Sequence, residues 1–345
     1  MKPVVLYTRP AAWRRFESDK LNLIYVPLAG SRPVRKSGKP AGDGPLALAN
    51  KDGIERLVNA MRKHQPQVLL RAVNTGMSRT AHERVREASP KTVIMLMDGN
   101  EPTGLSKYAE RYGIERGLID MYLLNSRDER VLGKYRDAGL KVATLYDGFD
   151  PAEHKPNPKQ PRADCFFGGS NRRRKVPRND PLTGFTREVW EWDFPNGQFR
   201  FDFISHARMR YRLNLHGASK EWPYQVKPIL HYPAYFKAFQ RAKIALGCNH
   251  YDLERYYTRR VMHAGASGRA FVTRYIPGME KDFGENGKHV AWFKTVDGGL
   301  ATIERLLKDE KGRVAMGRRC RRLFIRDHSW EARLREFEKI VKDFV

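Results

Sequence analysis

Along the first half of the chain, short apolar runs alternate with longer segments whose apolar residues recur every three or four positions. Residues 4–7, 23–26, 68–73, 92–97, 121–124 and 142–145 are compact, rich in Val, Ile and Leu, and bounded by turn residues, which predicts strands. Between them, 52–64, 78–88, 106–112 and 126–138 have helical spacing, and several open on a Ser or Asp suited to N-capping. Strand and helix in alternation predict a parallel, doubly wound α/β sheet.

The alternation stops at a Pro-rich stretch, Lys155-Pro156-Asn157-Pro158-Lys159-Gln160-Pro161, which can continue neither element. A second series follows, with strands expected at 164–167, 199–204, 244–246, 270–273 and 289–292. Helices are expected at 234–242, 258–264, 297–308, 312–325 and 330–344. Residues 170–230 mix Arg, Trp, Pro and Gly without a clear period and are expected to form loops and a short insertion. The expected division is an N-terminal Rossmann-like domain (1–155), a C-terminal Rossmann-like domain (162–330) and a closing helix (331–345).

Charge changes the picture most. With 65 Lys and Arg against 39 Asp and Glu, the chain carries +26, far more than solubility needs, and both halves share the excess. An anionic partner is implied, and the spread suits a polyanion lying across two domains. The N-terminal apolar run is too short for a signal-peptide core and no run reaches membrane-spanning length. A soluble, cytoplasmic protein without membrane association is therefore expected, and a monomer is assumed. Cys165, Cys248 and Cys320 lie far apart, which argues for reduced thiols rather than disulfides, a zinc site or a redox motif.

The sequence has no Walker-type, H-E-x-x-H or G-x-S-x-G motif and no metal-ligand cluster, so no strict metal requirement is expected. The chemistry is sought at strand ends, where doubly wound sheets bind ligands. Gly168-Gly169-Ser170 closes a predicted strand and offers bare backbone N–H groups to a diphosphate, with Arg172, Arg173, Arg174 and Lys175 beside it. The predicted helix near Thr258 would aim its N-terminal dipole at the same group, with Arg260 adding charge. In the first half, Asp98 follows a buried strand and is the candidate general base, with Glu101 second; an Asp-Gly turn capping the next helix is the alternative reading. Arg187, Trp190, Trp192, Phe199, Arg200, Phe201, Arg208, Arg210, Tyr211 and Arg212 interleave cations with aromatics in the manner of nucleic-acid contacts, with Arg173, Arg174 and Lys175 in the same set. Residues 311–326 hold seven basic residues and no acidic one, which suits either a grip on a polymer backbone or an ordinary polar face.

The second half also resembles a known family. Arg260-Val261-Met262-His263-Ala264-Gly265, Ile276-Pro277-Gly278-Met279-Glu280, Asn286-Gly287-Lys288 and His328-Ser329-Trp330, with Phe166-Phe167-Gly168-Gly169-Ser170 and Ala242-Lys243-Ile244 upstream, resemble CgeB-type, spore-maturation-like glycosyltransferases. That resemblance implies a GT-B fold, in which two Rossmann-like domains face across a cleft, and a nucleotide-sugar donor, UDP-glucose first. It implies donor-binding roles for Arg260, Lys243, Gly278, Met279 and Glu280, and for His263, where the family carries Glu. An imidazole offers one acceptor where a carboxylate has two oxygens. Architecture and charge together are similar to the phage DNA glucosyltransferases, which implies double-stranded DNA with 5-hydroxymethylated pyrimidines, such as 5-hydroxymethylcytosine, as acceptor. A bacterial glycan, lipid or spore-surface acceptor, and a degenerate transferase fold that only binds nucleic acid, are the alternatives.

Overall fold

The computed structural model describes residues 2–8, 13, 17–27, 51–72, 79–98, 118–156, 161–179, 186–218, 222, 224–230 and 233–344. The chain forms two compact units, residues 1–148 with 330–345, and residues 149–329. Among the described residues no helix is long and apolar enough to cross a membrane.

The first unit is built on a six-stranded sheet of order β2-β1-β3-β4-β5-β6, parallel throughout. Its strands are β1 (Val4–Tyr7), β2 (Asn22–Tyr25), β3 (Val68–Ala72), β4 (Val93–Asp98), β5 (Met121–Leu124) and β6 (Lys141–Thr144). Helices α1 (Lys51–His64) and α2 (Arg79–Ala88) cover one face, burying Leu57, Val58, Met61 and Val85 against Leu6, Leu69 and Ile94. Helix α3 (Glu129–Asp137) starts at Asp128, whose carboxylate accepts the Arg130 N–H. The last helix of the chain, Trp330–Phe344, also belongs here and places Leu334, Phe337 and Val341 among Val5, Tyr7, Trp13 and Met95. Trp13 fastens it by donating its indole N–H to the Trp330 carbonyl at 3.0 Å.

The second unit holds a five-stranded parallel sheet of order β10-β7-β11-β12-β13 and a two-stranded antiparallel ribbon, β8-β9. The sheet strands are β7 (Ala163–Gly168), β10 (Leu213–His216), β11 (Ala242–Gly247), β12 (Ala270–Arg274) and β13 (Ala291–Phe293); the ribbon is β8 (Arg173–Asn179) with β9 (Thr186–Trp192). Its helices are α4 (Gly197–Arg210), α5 (Ala234–Gln240), α6 (Arg259–Ala266), α7 (Glu280–Phe283), α8 (Val296–Lys308) and α9 (Glu310–His328). The unit begins at Phe149, ahead of the Pro-rich stretch, because Phe149 bridges Ser329 and His154 packs on Phe236 and His263.

The stretch without a clear period differs from expectation. Residues 199–204, read as a strand, lie inside α4. The alternating Phe199, Phe201 and Phe203 imitate a period of two, yet the buried positions include Arg200, Phe203, Ile204 and Ala207, the spacing of one helical face. A buried arginine completes that face, and hydrophobic patterning counts arginine as solvent-facing. Residues 173–179 and 186–192 form the ribbon rather than loops, and β10 adds an unforeseen edge strand beside β7. The expected helix 234–242 stops at Gln240, since Ala242 already belongs to β11. The expected helix at 106–112 lies outside the described residues.

Candidate functional site

All five sheet strands of the second unit are parallel, so one edge of that sheet carries every strand's carboxyl end. There β7 ends in Gly168-Gly169-Ser170-Asn171 and β11 runs into Cys248-Asn249-His250. Two guanidinium groups brace these ends. Arg260, in the first turn of α6, donates through Nε to the Gly168 carbonyl at 2.7 Å and through Nη1 to that of Cys248 at 3.2 Å. Arg200, fully buried in α4, donates to the Ser170 carbonyl at 2.6 Å and to the Cys248 carbonyl. Both lie near the Phe167 ring, Arg260 at 5.1 Å and Arg200 at 5.7 Å.

This packing requires the two glycines. A Cβ on Gly169 would collide with the Arg260 guanidinium, and one on Gly168 would stand 2.5 Å from the Tyr235 ring, whose hydroxyl donates to the Gly168 carbonyl at 3.0 Å. Arg200 also donates to His250 Nε2 at 3.0 Å. A guanidinium has no acceptor, so His250 carries its proton on Nδ1, an atom that is buried and makes no hydrogen bond among the described residues. Burial and the positive charges of Arg200, Arg260 and the exposed Arg172 push the His250 pKa far down, so it stays neutral. Burial and the neighbouring Arg260 also lower Arg200, to about 10, which leaves it charged at neutral pH.

Among the described residues no carboxylate pairs with Arg200 or Arg260; their hydrogen bonds go to carbonyls and to His250. Two positive charges are therefore held at the sheet edge by neutral partners. The amino end of α6 adds its dipole at the same place, and the hydroxyl of its N-cap, Thr258, is buried without a hydrogen bond among the described residues. Converging cations, helix N–H groups and an unsatisfied hydroxyl are the chemistry by which proteins hold phosphate groups.

The remaining donor candidates are divided. His263 lies on α6 and is buried, with its Nδ1 3.1 Å from His154 Nε2 and the two rings stacked at 5.2 Å. His154 donates from Nδ1 to the Asp150 carbonyl at 2.8 Å, so its Nε2 accepts from His263, and the acceptor nitrogen of His263 is Nε2. Burial and His154 lower the His263 pKa to about 3. Gly278 takes a left-handed φ of 76°, whereas the Met279 side chain is in the core, its thioether accepting the Ile276 N–H at 3.2 Å. Met279 thus has only backbone to offer a ligand. Glu280 is exposed and accepts the Tyr275 hydroxyl at 3.1 Å. Arg255 and Tyr257 both donate to Asp282, Tyr257 at 2.6 Å, which ties the loop before α6 to α7.

Lys243 does not join this group. It stands near the start of β11, pairs with Asp164 at 3.1 Å, and so occupies the opposite edge of the sheet. Arg212 shares Asp164 at 3.3 Å. The ribbon gathers Arg173, whose guanidinium lies 5.5 and 5.1 Å from the rings of Trp190 and Trp192, and Lys175, 5.7 Å from Trp190 and paired with Glu188 at 2.6 Å. Trp190 is 60% exposed. Arg208, over the Tyr224 ring at 4.6 Å, and the exposed Arg210 lie at the far end of α4 from the ribbon, about 20 Å away by helix rise. The basic and aromatic positions thus form two clusters. Arg174 lies in β8, with its side chain outside the described atoms.

In the first unit, Asp98 is the last residue of β4, paired with Leu124 at the carboxyl edge of that sheet. Its side chain, and Glu101 altogether, lie outside the described residues. Sequence patterning assigns no role to His250 or Tyr235 and counts Arg200 among the nucleic-acid contacts, whereas the structure brings all three to the carboxyl ends of β7 and β11. For Arg200 the one available signal is its place three, four and seven residues before the buried Phe203, Ile204 and Ala207.

Residues 199–339 match the family described as Glycosyl transferase-like. No curated protein matches the chain in sequence. Among solved structures, a sucrose-phosphate synthase from Thermosynechococcus elongatus is similar at 11% identity and a TM-score of 0.55, with 99% of each chain covered. HepE of Anabaena in complex with UDP-glucose is similar at 10% identity and a TM-score of 0.53, covering 99% of this chain and 100% of that one. The pneumococcal O-GlcNAc transferase GtfA, in complex with UDP and GlcNAc, is similar at 11% identity and a TM-score of 0.51, covering 84% of this chain and 59% of that one. The architecture is that of the GT-B glycosyltransferases, with two Rossmann-like parallel sheets and carboxyl-terminal helices.

Proposed function

We propose that this protein is a glycosyltransferase that moves a sugar from a UDP-sugar, UDP-glucose first, to a hydroxyl on DNA carrying 5-hydroxymethylated pyrimidines. The observation that carries the donor half is the pair of guanidinium groups, Arg200 and Arg260, held without a carboxylate partner among the described residues at the carboxyl edge of the second unit's sheet. The match to a glycosyl transferase-like family and the UDP and UDP-glucose in the HepE structures support it. The charge of +26 and the ribbon face bearing Arg173, Lys175 and Trp190 support a nucleic-acid acceptor, for which cations meet phosphates and exposed aromatic faces meet bases.

In the reaction the acceptor oxygen gives its proton to a carboxylate and bonds to the anomeric carbon. The bond from that carbon to the donor's β-phosphate oxygen breaks, and UDP leaves with the electron pair. Asp98 is the proposed base. Arg260, Arg200 and the α6 amino end stabilise the charge that grows on the departing diphosphate. His263 Nε2 takes one ribose hydroxyl where a carboxylate would take two. A hydroxymethyl group inside a duplex has to leave the stack to react, so base flipping belongs to the proposal. The test is incubation with hydroxymethylated or plain duplex DNA and a panel of nucleotide sugars, followed by digestion to nucleosides. A hexose mass increment on the hydroxymethylated nucleoside alone is expected. Transfer to glycan acceptors with none to DNA would replace the DNA acceptor, and release of no nucleotide from any donor would reduce the protein to a binder.

A further inference from the structure

Helix α9 carries seven basic residues from Lys311 to Arg326, and the fold sorts them into two sets. Three are drawn into the unit. Arg313 is buried and donates to the Leu306 carbonyl at 2.9 Å, Arg319 donates to that of Lys288 at 2.8 Å, and Arg321 to that of Ala266. The other four, Lys311, Arg318, Arg322 and Arg326, are exposed. At 100° per residue they fall within about 80° of one another on the side opposite the buried Met316, Cys320, Leu323 and Phe324. Arg326 is paired with Asp327 at 2.6 Å, while no ion pair among the described residues reaches Lys311, Arg318 or Arg322. The carboxylates nearest this stripe in sequence are Glu310 and Asp327, one at each end.

The helix also has a direction. Gly317, at its middle, packs on the backbone of Gly268 to Ala270, where β12 begins, and His328, at its end, lies 6.3 Å from the Tyr257 ring and 5.6 Å from that of Phe283. Tyr257 immediately precedes the N-cap of α6. The stripe thus climbs from the amino edge of the sheet toward the carboxyl edge that holds Arg200 and Arg260.

We infer that this face of α9 is a docking track for the phosphate backbone of duplex DNA, guiding the acceptor toward the donor site; the inference rests on the DNA reading above. The unpaired cations span about 16 Å by helix rise, the axial length of about five phosphates on one strand. Contacts of this kind position the duplex and read no sequence. An anionic membrane suits the face less well, because the apolar side of α9 is committed to the core and cannot enter a bilayer.

The experiment is a fluorescence-anisotropy titration of the full-length chain with an unmodified duplex over a range of salt, beside sedimentation with anionic vesicles. The triple variant Lys311→Gln, Arg318→Gln, Arg322→Gln is expected to lower the slope of log affinity against log salt by about 2.7, from about 0.9 per lost phosphate contact. The charge-keeping variant Lys311→Arg, Arg318→Lys, Arg322→Lys is expected to keep the parental slope. UDP affinity and the thermal midpoint, measured alongside, are expected to stay parental in both. Should the triple variant misfold, each single Gln variant is expected to lower the slope by about 0.9. A steep parental slope left unchanged by the triple variant would overturn the track and spare the DNA reading. A parental protein with no salt-dependent DNA binding would overturn both. Loss of vesicle binding in the triple variant, with DNA binding untouched, would give the face to a membrane and overturn the track.

Discussion

Replacing Arg260 with Ala tests the proposed diphosphate contact separately from the rest of the proposed donor. In the structure this side chain brings positive charge to the carboxyl ends of β7 and β11 and spans the Gly168 and Cys248 carbonyls. A hydrogen bond to a charged group is worth about 1.5–3 kcal/mol, and every 1.4 kcal/mol is about tenfold in affinity. UDP affinity is therefore expected to fall about 10- to 100-fold. Uridine carries no diphosphate, so its affinity is expected to change little. Isothermal titration of parent and variant with both ligands gives the difference of differences, which cancels any general loosening of the loop. The two carbonyls that lose a donor sit at the end of the sheet, so the thermal midpoint is expected to fall only modestly. Equal losses for UDP and uridine would mean that Arg260 only holds the loop. An unchanged UDP affinity in a folded variant would remove the diphosphate from this edge altogether.

Other variants report on the neighbouring groups. Asp98→Asn is expected to reduce sugar transfer by about 10²–10⁴-fold while DNA and UDP binding stay near parental, as measured by turnover and by titration; a parental rate, with Glu101→Gln inactive instead, would move the base to Glu101. Gly169→Ala drives a methyl into the Arg260 guanidinium, so UDP affinity is expected to drop although no charge is removed, and an unaltered affinity would show that the guanidinium has room to shift. The His263 pKa is depressed to about 3 from an ordinary 6.5, so the unfolded chain binds the proton first on acidification. Stability is then full above pH 6.5 and declines as the pH falls toward 3, by up to about 1.4 kcal/mol per pH unit for this group. Urea unfolding of His263→Phe is expected to show a shallower decline over that window, and an identical decline would exclude His263 as its source.

Much of the architecture was legible in the sequence because it rests on local patterning. Residues 121–124 and 270–273 are apolar runs bounded by turns, and both form buried parallel strands. The helices read at 126–138 and 312–325 form too, although their observed N-caps are Asp128 and Asp309, each carboxylate taking an N–H of the first turn. The net charge and the basic run at 311–326 also belong to the sequence alone. What only the tertiary structure decided is which polar groups are spent inside. Arg200 sits among alternating phenylalanines that read as a strand, and it reaches the Ser170 and Cys248 carbonyls because a helix turns it beneath the ends of β7 and β11. Lys243 reads as a donor ligand by resemblance, and Asp164 neutralises it at the opposite edge. His263 and His154, 109 positions apart, meet in the interior and share a hydrogen bond. Patterning reports how often a residue type avoids water; whether one particular cation is paired, buried or left facing an anion depends on partners brought from distant parts of the chain.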